Sequence, residues 1–322
     1  MRCRRWEPIP SRRTGPGVGT VIEVRDLSKE FGRKQVLNGV SFDVKRGAIT
    51  GFLGPNGAGK STTMKIMVGL ESPTRGEVLI GGKRYADLDN PSRTVACLID
   101  AAWMDRSLTV RQYVTLAAVA QGYDAKSRSI MDAISQVGME SAANRRISML
   151  SLGMRQRVGL AGCLIGQPKY LILDEPINGL DPDGIIWFRG TLRRLTEAGC
   201  GILLSSHLMS ELEDTADNIV LISEGSIKFD EPMDTLQRTA GGSVRVRVDN
   251  PAALITELAL QPDAWHESAP NELVLAGVAS TDVFKGAVSA GVVLEEMYVV
   301  RRSLEDVYMD VVGRSHERVR RL

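Results

Sequence analysis

The sequence lacks a cysteine motif, a strong net charge and a long apolar run. Its four cysteines, Cys3, Cys97, Cys163 and Cys200, are scattered without metal or redox spacing. Three of them lie in apolar surroundings, which points to reduced core thiols in a cytosolic protein. A formal net charge of +1 gives no sign of a nucleic-acid or acidic-substrate surface. No apolar run approaches the roughly 20 residues that a membrane span needs, so any membrane role must go through a partner. What is present is ordinary globular material: 43% hydrophobic and 25% charged over 322 residues, enough for two domains and a large core.

Residues 1–19 are of another kind. Arg2, Arg4, Arg5, Arg12 and Arg13 stand among Pro8, Pro10 and Pro16, with no apolar stretch after the arginines to make a secretory signal. The composition reads as a disordered tail or an over-extended start site, with a lipid-binding basic arm as the alternative.

The stretch with the strongest chemistry is Gly54-Pro55-Asn56-Gly57-Ala58-Gly59-Lys60-Ser61, which fits G-x-x-x-x-G-K-[ST] at every specified position. Ala48–Leu53 before it reads as a buried strand and Thr62–Met67 after it as a helix. Glycines let backbone N–H groups line a concave nest, and the helix start adds its dipole, so negative phosphates meet aligned donors. Lys60 supplies a mobile charge for the β- and γ-phosphates, and Ser61 a hydroxyl for Mg²⁺. The plain alternative is a glycine-rich surface turn. A phosphate loop alone leaves kinases, GTPases and motor ATPases open.

Tyr170–Leu173 is a run of apolar residues followed by Asp174 and Glu175. Such a run reads as a central parallel strand delivering acids at its carboxyl end, where open α/β sheets bind ligands. Asp174 is expected to hold Mg²⁺ through water and Glu175 to polarise the attacking water. Gly201–Ser206 is another strand, ending in His207, one of three histidines. A histidine there can contact a γ-phosphate, or be structural. Val95–Ile99 is a buried-type strand ending at Asp100. A helical pattern is expected from Thr109 to about Gly138, and a helix from Val158 to about Ile165 with a serine at an N-cap-like position before it.

Around these, Ile22–Leu27 and Val40–Val44 alternate as half-exposed strands, with Phe31 between them as turn packing or a face for a nucleobase. Ile219–Ile222 and Ser226–Phe229 predict a hairpin around Glu224-Gly225. Gly241-Gly242 marks a linker. Beyond it, alternating Val244, Val246 and Val248, helical patterns near 251–260 and 281–290, strands at 273–275 and 292–298 and a terminal helix Leu304–Val312 predict a small α+β unit without a catalytic constellation.

In this order the residues resemble the nucleotide-binding subunit of an ATP-binding cassette (ABC) transporter over about residues 20–235. Walker A is Gly54–Ser61, Walker B is Leu171–Asp174, Glu175 matches the catalytic carboxylate, Phe31 the aromatic A-loop, Gly179–Asp181 the D-loop and His207 the switch histidine. The signature is Leu150-Ser151-Leu152-Gly153-Met154, with Leu152 and Met154 where the family has Gly and Gln. Asp100 stands where the Q-loop glutamine is usual. These variants, with Arg155-Gln156-Arg157 and Ser303–Tyr308, resemble the single-cassette ATPases of bacterial multidrug, bacitracin-type and lantibiotic-type exporters.

The resemblance implies an α/β P-loop NTPase (RecA-like) core with antiparallel β and α-helical subdomains, the helical one at about 101–158. It implies a cassette over 20–238 and an accessory domain with a basic tail over 239–322. ATP and Mg²⁺ are the implied ligands, with Phe31, Gly54–Ser61, Thr62, Ser151 and Gly153 at the nucleotide and Ser61, Asp174 and Asp100 at the metal. Lys60, Glu175 and His207 are the implied catalytic set. The implied partners are a second cassette and a polytopic permease on a separate chain at the cytoplasmic face of the membrane. A cassette protein acting on ribosomes or DNA would carry two phosphate loops or long heptads, and neither is present. A non-hydrolysing module would not be expected to keep Glu175 and His207.

Overall fold

The structure, a computed structural model, describes residues 21–99, 104–126, 128–239, 243–262 and 264–300. The chain divides into two compact units between Asp230 and Glu231, ahead of the boundary expected after residue 238.

The first unit opens with an antiparallel hairpin, β1 (Ile22–Phe31) and β2 (Lys34–Val44). Both strands run further than their alternating cores suggested. The hairpin carries Phe31 to the very end of β1, where it pairs with Lys34. β3 (Ile49–Leu53) leads through the phosphate loop to α1 (Lys60–Met67), and β4 (Arg75–Ile80) pairs with the free side of β1. α2 (Pro91–Thr94) precedes β5 (Val95–Leu98). Three helices then pack on one another: α3 (Val110–Ala120), α4 (Ser129–Gln136) and α5 (Leu152–Leu164). β6 (Tyr170–Leu173), α6 (Pro182–Glu197), β7 (Gly201–Ser206), α7 (Met209–Glu213), β8 (Asn218–Ser223) and β9 (Ser226–Pro232) follow.

The main sheet has the order β5-β6-β7-β3-β8-β9, in which the strands from β5 to β8 run parallel to one another. Every residue of β3, β6 and β7 is buried, which is why these strands read as unbroken apolar runs rather than as alternation. Phe42 of β2 meets Phe52 of β3 at 5.0 Å between ring centroids, joining the antiparallel sheet to the parallel one through a shared core. At the far edge the turn between β8 and β9 holds Glu224 and Gly225 at φ of 51° and 72°, the two positive values that a type I′ hairpin turn requires.

The helical layer differs from the sequence expectation in two places. The single pattern from Thr109 to Gly138 is two helices; Thr109 starts the first with a reciprocal capping box to Gln112. The helix expected from Val158 starts at Leu152 instead, because Ser151 caps it by accepting the Met154 N–H at 3.2 Å. Burial pushes the free thiols of Cys97 and Cys163 up, and that of Cys200 up to about 12.

The second unit contains α8 (Met233–Thr239), β10 (Ser243–Val248), α9 (Pro251–Glu257), β11 (Trp265–Ala269), β12 (Glu272–Ala276), α10 (Ser280–Ala290) and β13 (Leu294–Val300). From β10 onward the order is β-α-β-β-α-β and the antiparallel sheet reads β13-β10-β12-β11, the split βαβ arrangement. Leu254 of α9 and Val283 and Ala287 of α10 share one core with Val244, Val246, Val248, Leu273 and Leu275. Alternation on β10 leaves Arg245 and Arg247 on the other face. β11 was missing from the sequence expectation, since Trp265-His266-Glu267-Ser268-Ala269 has no apolar alternation to reveal it. The expected terminal helix Leu304–Val312 and residues 1–19 lie outside the described residues.

Candidate functional site

Strand register builds the site. Parallel pairing sets Leu173 beside Leu204 and Leu53 beside Ser206, so β6, β7 and β3 end together. The residues that follow them, Asp174-Glu175, His207 and the phosphate loop, therefore leave the sheet at the same edge.

The phosphate loop closes on itself through the Ala58 N–H, which donates to the Pro55 carbonyl at 3.2 Å. Gly59 occupies the N-cap position of α1 at φ 111°, where a Cβ would run into Leu37; only glycine fits. Lys60 is 5% exposed, and its Nζ donates to the carbonyl oxygens of Gly54 at 2.6 Å and Pro55 at 3.3 Å. Its charge is thus held over the loop, 3.5 Å from Glu175 Oε1. Ser61 is exposed and Thr62 half-buried at the start of α1.

On β6, the Asp174 N–H donates to the Leu98 carbonyl at 2.9 Å. Ser205 Oγ, fully buried, donates to Asp174 Oδ1 at 2.5 Å and accepts the Glu175 N–H at 2.9 Å. Glu175 has φ 47°, a left-handed conformation that a non-glycine residue adopts only when its surroundings impose it. Its Oε2 takes Asn178 Nδ2 at 2.6 Å and lies 3.1 Å from His207 Nδ1. The His207 segment is held in turn by Ser206 Oγ, which donates to Glu211 at 2.6 Å and accepts the Leu208 N–H at 2.9 Å.

Glu175 is therefore brought into contact with both Lys60 and His207, from three separate stretches of sequence. Ser205 and Asn178 belong to the same cluster, and the motif reading passed over both. The available signal for Ser205 was a polar residue inside an otherwise apolar strand end; for Asn178 it was a side-chain donor three positions past the acid. Phe31 is 48% exposed, with Lys29 Nζ 4.6 Å from its ring centroid, so an aromatic face is available for a planar ring. Asp100 lies outside the described residues.

Ser151 and Gly153 do not join the cluster within one chain; they sit at the start of α5. There Leu152 fills the space that a Cβ on Gly179 would need, and Gly179 has φ 77°. Leu152, one of the two residues that depart from the usual signature, thus packs on the loop that leads to Asp181. Asp181 Oδ1 accepts the Gly184 N–H at 2.8 Å and caps α6.

The set suits a nucleotide: backbone donors and a buried lysine at a helix start for phosphates, and a held carboxylate beside them for water. Comparison with known proteins agrees. Residues 37–178 match the ABC transporter family profile. The chain is 33% identical over 306 residues to the uncharacterized ABC transporter ATP-binding protein YhcH of Bacillus subtilis (strain 168), covering 93% of this chain and 98% of that one. It is 36% identical over 214 residues to the lantibiotic transport ATP-binding protein SrtF of Streptococcus pyogenes, covering 66% of this chain and 92% of that one. A solved structure, that of an ATP-binding subunit of an ABC transporter, superposes with a TM-score of 0.61 at 32% identity, covering 68% of this chain and 93% of that one. The chain belongs to the ABC transporter family, as one of its ATP-binding, ATP-hydrolysing subunits.

Proposed function

We propose that this chain energises a bacterial exporter of drugs, antibiotics or peptide-like molecules, driving a separate membrane subunit when two copies close on ATP. The observation that carries the mechanism is the contact of Glu175 with both Lys60, at 3.5 Å, and His207, at 3.1 Å. The similarity to a lantibiotic transport protein supports the substrate class. Among the described residues no helix is long and apolar enough to cross a membrane; on this reading a permease holds the chain at the cytoplasmic face. The helical layer at about 101–158 is the docking surface on this reading.

In the reaction, Phe31 stacks on the adenine and the phosphate-loop N–H groups hold the phosphates. Lys60 exchanges Glu175 for the γ-phosphate. Glu175 takes a proton from water as its oxygen attacks the γ-phosphorus, the bond to the β-phosphate oxygen breaks, and ADP and phosphate remain. His207 stabilises charge on the γ-phosphate. Ser151 and Gly153 of a second copy complete the site from the other side. Ser61 and Asp174 are oxygen donors of the kind Mg²⁺ takes alongside phosphate and water, with Asp100 as a further candidate. The ion would neutralise charge between the β- and γ-phosphates.

The test is to purify the chain from native membranes, identify the polytopic protein that accompanies it, and reconstitute both in lipid. ATP-dependent efflux of a peptide antibiotic, with ATP turnover raised by the membrane subunit, is the expected outcome. Accompaniment by ribosomes instead, with no membrane protein, would overturn the transport reading.

A further inference from the structure

Glu175 ends in three rotatable bonds, and something must fix which of its oxygens faces the phosphate loop. Oε1 faces Lys60 at 3.5 Å, while Oε2 is held from behind by Asn178 at 2.6 Å and His207 at 3.1 Å. Asn178 is carried to that position by the turn itself, whose Asn178 N–H donates to the Glu175 carbonyl at 3.3 Å. The two holders of Oε2 differ in what else they must do. His207 is also to stabilise the γ-phosphate on the mechanism above, and it can hold Oε2 only with a proton on Nδ1. Asn178 has no such second task. Its Nδ2 only donates, so it orients the carboxylate without competing for the proton that Glu175 is to receive.

We infer that Asn178 is a positioning residue for ATP hydrolysis, keeping Glu175 Oε2 engaged so that Oε1 is the oxygen presented to the attacking water whichever nitrogen of His207 carries the proton. The inference rests on the reading of Glu175 as the base.

The test uses the full-length chain. Asn178→Asp keeps the shape and removes the donor; Asn178→Ala removes the donor without adding charge. A misplacement of about 1 Å at a reacting group costs about 100-fold in rate, so kcat should fall by about 10- to 100-fold in Asn178→Asp and by about tenfold in Asn178→Ala. KM for ATP should stay within about threefold in both, because ground-state binding does not use this contact. A second readout needs no activity. In nucleotide-free melts Asn178→Asp should lower the melting temperature of the wild-type chain through carboxylate repulsion. With Glu175→Gln also present, the amide at 175 can donate to the carboxylate at 178, and the loss should disappear. A kcat within twofold of wild type in Asn178→Asp, or an equal melting loss in both backgrounds, overturns the inference. Should Asn178→Asp fail to fold, Asn178→Ala carries the same kcat and KM test. Glu175→Gln alone separates the levels: wild-type turnover there removes the base and this inference together, whereas a dead Glu175→Gln beside a normal Asn178→Asp removes only the inference.

Discussion

Two glutamates, one in each unit, show how differently the same side chain is used. Glu272 begins β12 on the sheet face that α9 and α10 leave bare. It is enclosed by its own unit: Ser268 Oγ donates to it at 2.7 Å, Arg247 at 3.0 Å, and Arg245 lies at 3.4 Å. The Ser268 hydrogen bond first, then Arg247, holds its carboxyl below the usual carboxylate range. Glu175 stands on a left-handed backbone at φ 47°, a conformation that costs roughly 1–3 kcal/mol. Its cation, Lys60, is shared with the carbonyl oxygens of Gly54 and Pro55. The first carboxylate closes a network of side chains from its own unit. The second is held, under strain, by groups that a phosphate would also claim. A charge satisfied by fixed neighbours stabilises a fold, and a charge satisfied by exchangeable ones is available for chemistry.

Mutations can break or sharpen that contrast. The largest expected effect is that of Glu175→Gln: ATP turnover falls by about 100-fold or more, while ATP stays bound and the chain is retained as an ATP-bound dimer. Gel filtration with ATP and Mg²⁺, beside a turnover assay, measures both, and undiminished turnover would end the contrast. Next comes Ser205→Ala, which strips a buried hydroxyl from both Asp174 and the Glu175 N–H. Leaving such groups unpaired costs about 1–3 kcal/mol, so thermal stability should drop, and kcat should fall about tenfold as the two acids lose their alignment. Calorimetry and steady-state kinetics on one preparation test this.

A smaller effect is expected from ending the chain at residue 240. Every residue assigned to the nucleotide lies before that point, so ATP affinity should change by less than about threefold, or about 0.7 kcal/mol. Loss of affinity in a folded, soluble truncation would mean that the second unit completes the site. The smallest effect on turnover belongs to Glu272→Gln, which should leave hydrolysis unchanged and alter only the acid limb of stability. Because the folded-state carboxyl is depressed, its contribution is full above the ordinary glutamate range and is lost as pH falls through the lower folded value. Glu272→Gln should therefore be less stable at neutral pH and should flatten that acid decline. Melting curves across the acidic range report it, and an unchanged decline would remove Glu272 from the network's role.

Much of the cassette was legible because its requirements are local. A phosphate loop is a backbone demand met by glycines at set spacing, and an apolar run ending in two acids marks a buried strand wherever it lies. The same locality explains the errors. The start of α5 depends on one hydroxyl, Ser151, reaching the Met154 N–H, and its flanking residues do not announce it. β11 forms because β12 offers an edge to pair with, although its own sequence has no strand pattern.

By itself, then, the sequence determined which residues are candidates for the chemistry, since loop, strand end and histidine are each written in a few adjacent positions. Only the tertiary structure decided how they meet. β7 lies between β6 and β3, a strand order reached through helical crossovers that no local pattern encodes. That order, with its register, sets Ser205 against Asp174 and brings His207 and Lys60 to the same carboxylate. Asn178 reaches Glu175 because a turn with positive φ aims one side chain at the other, and a side chain's aim depends on backbone angles and neighbours that exist only once the sheet has formed.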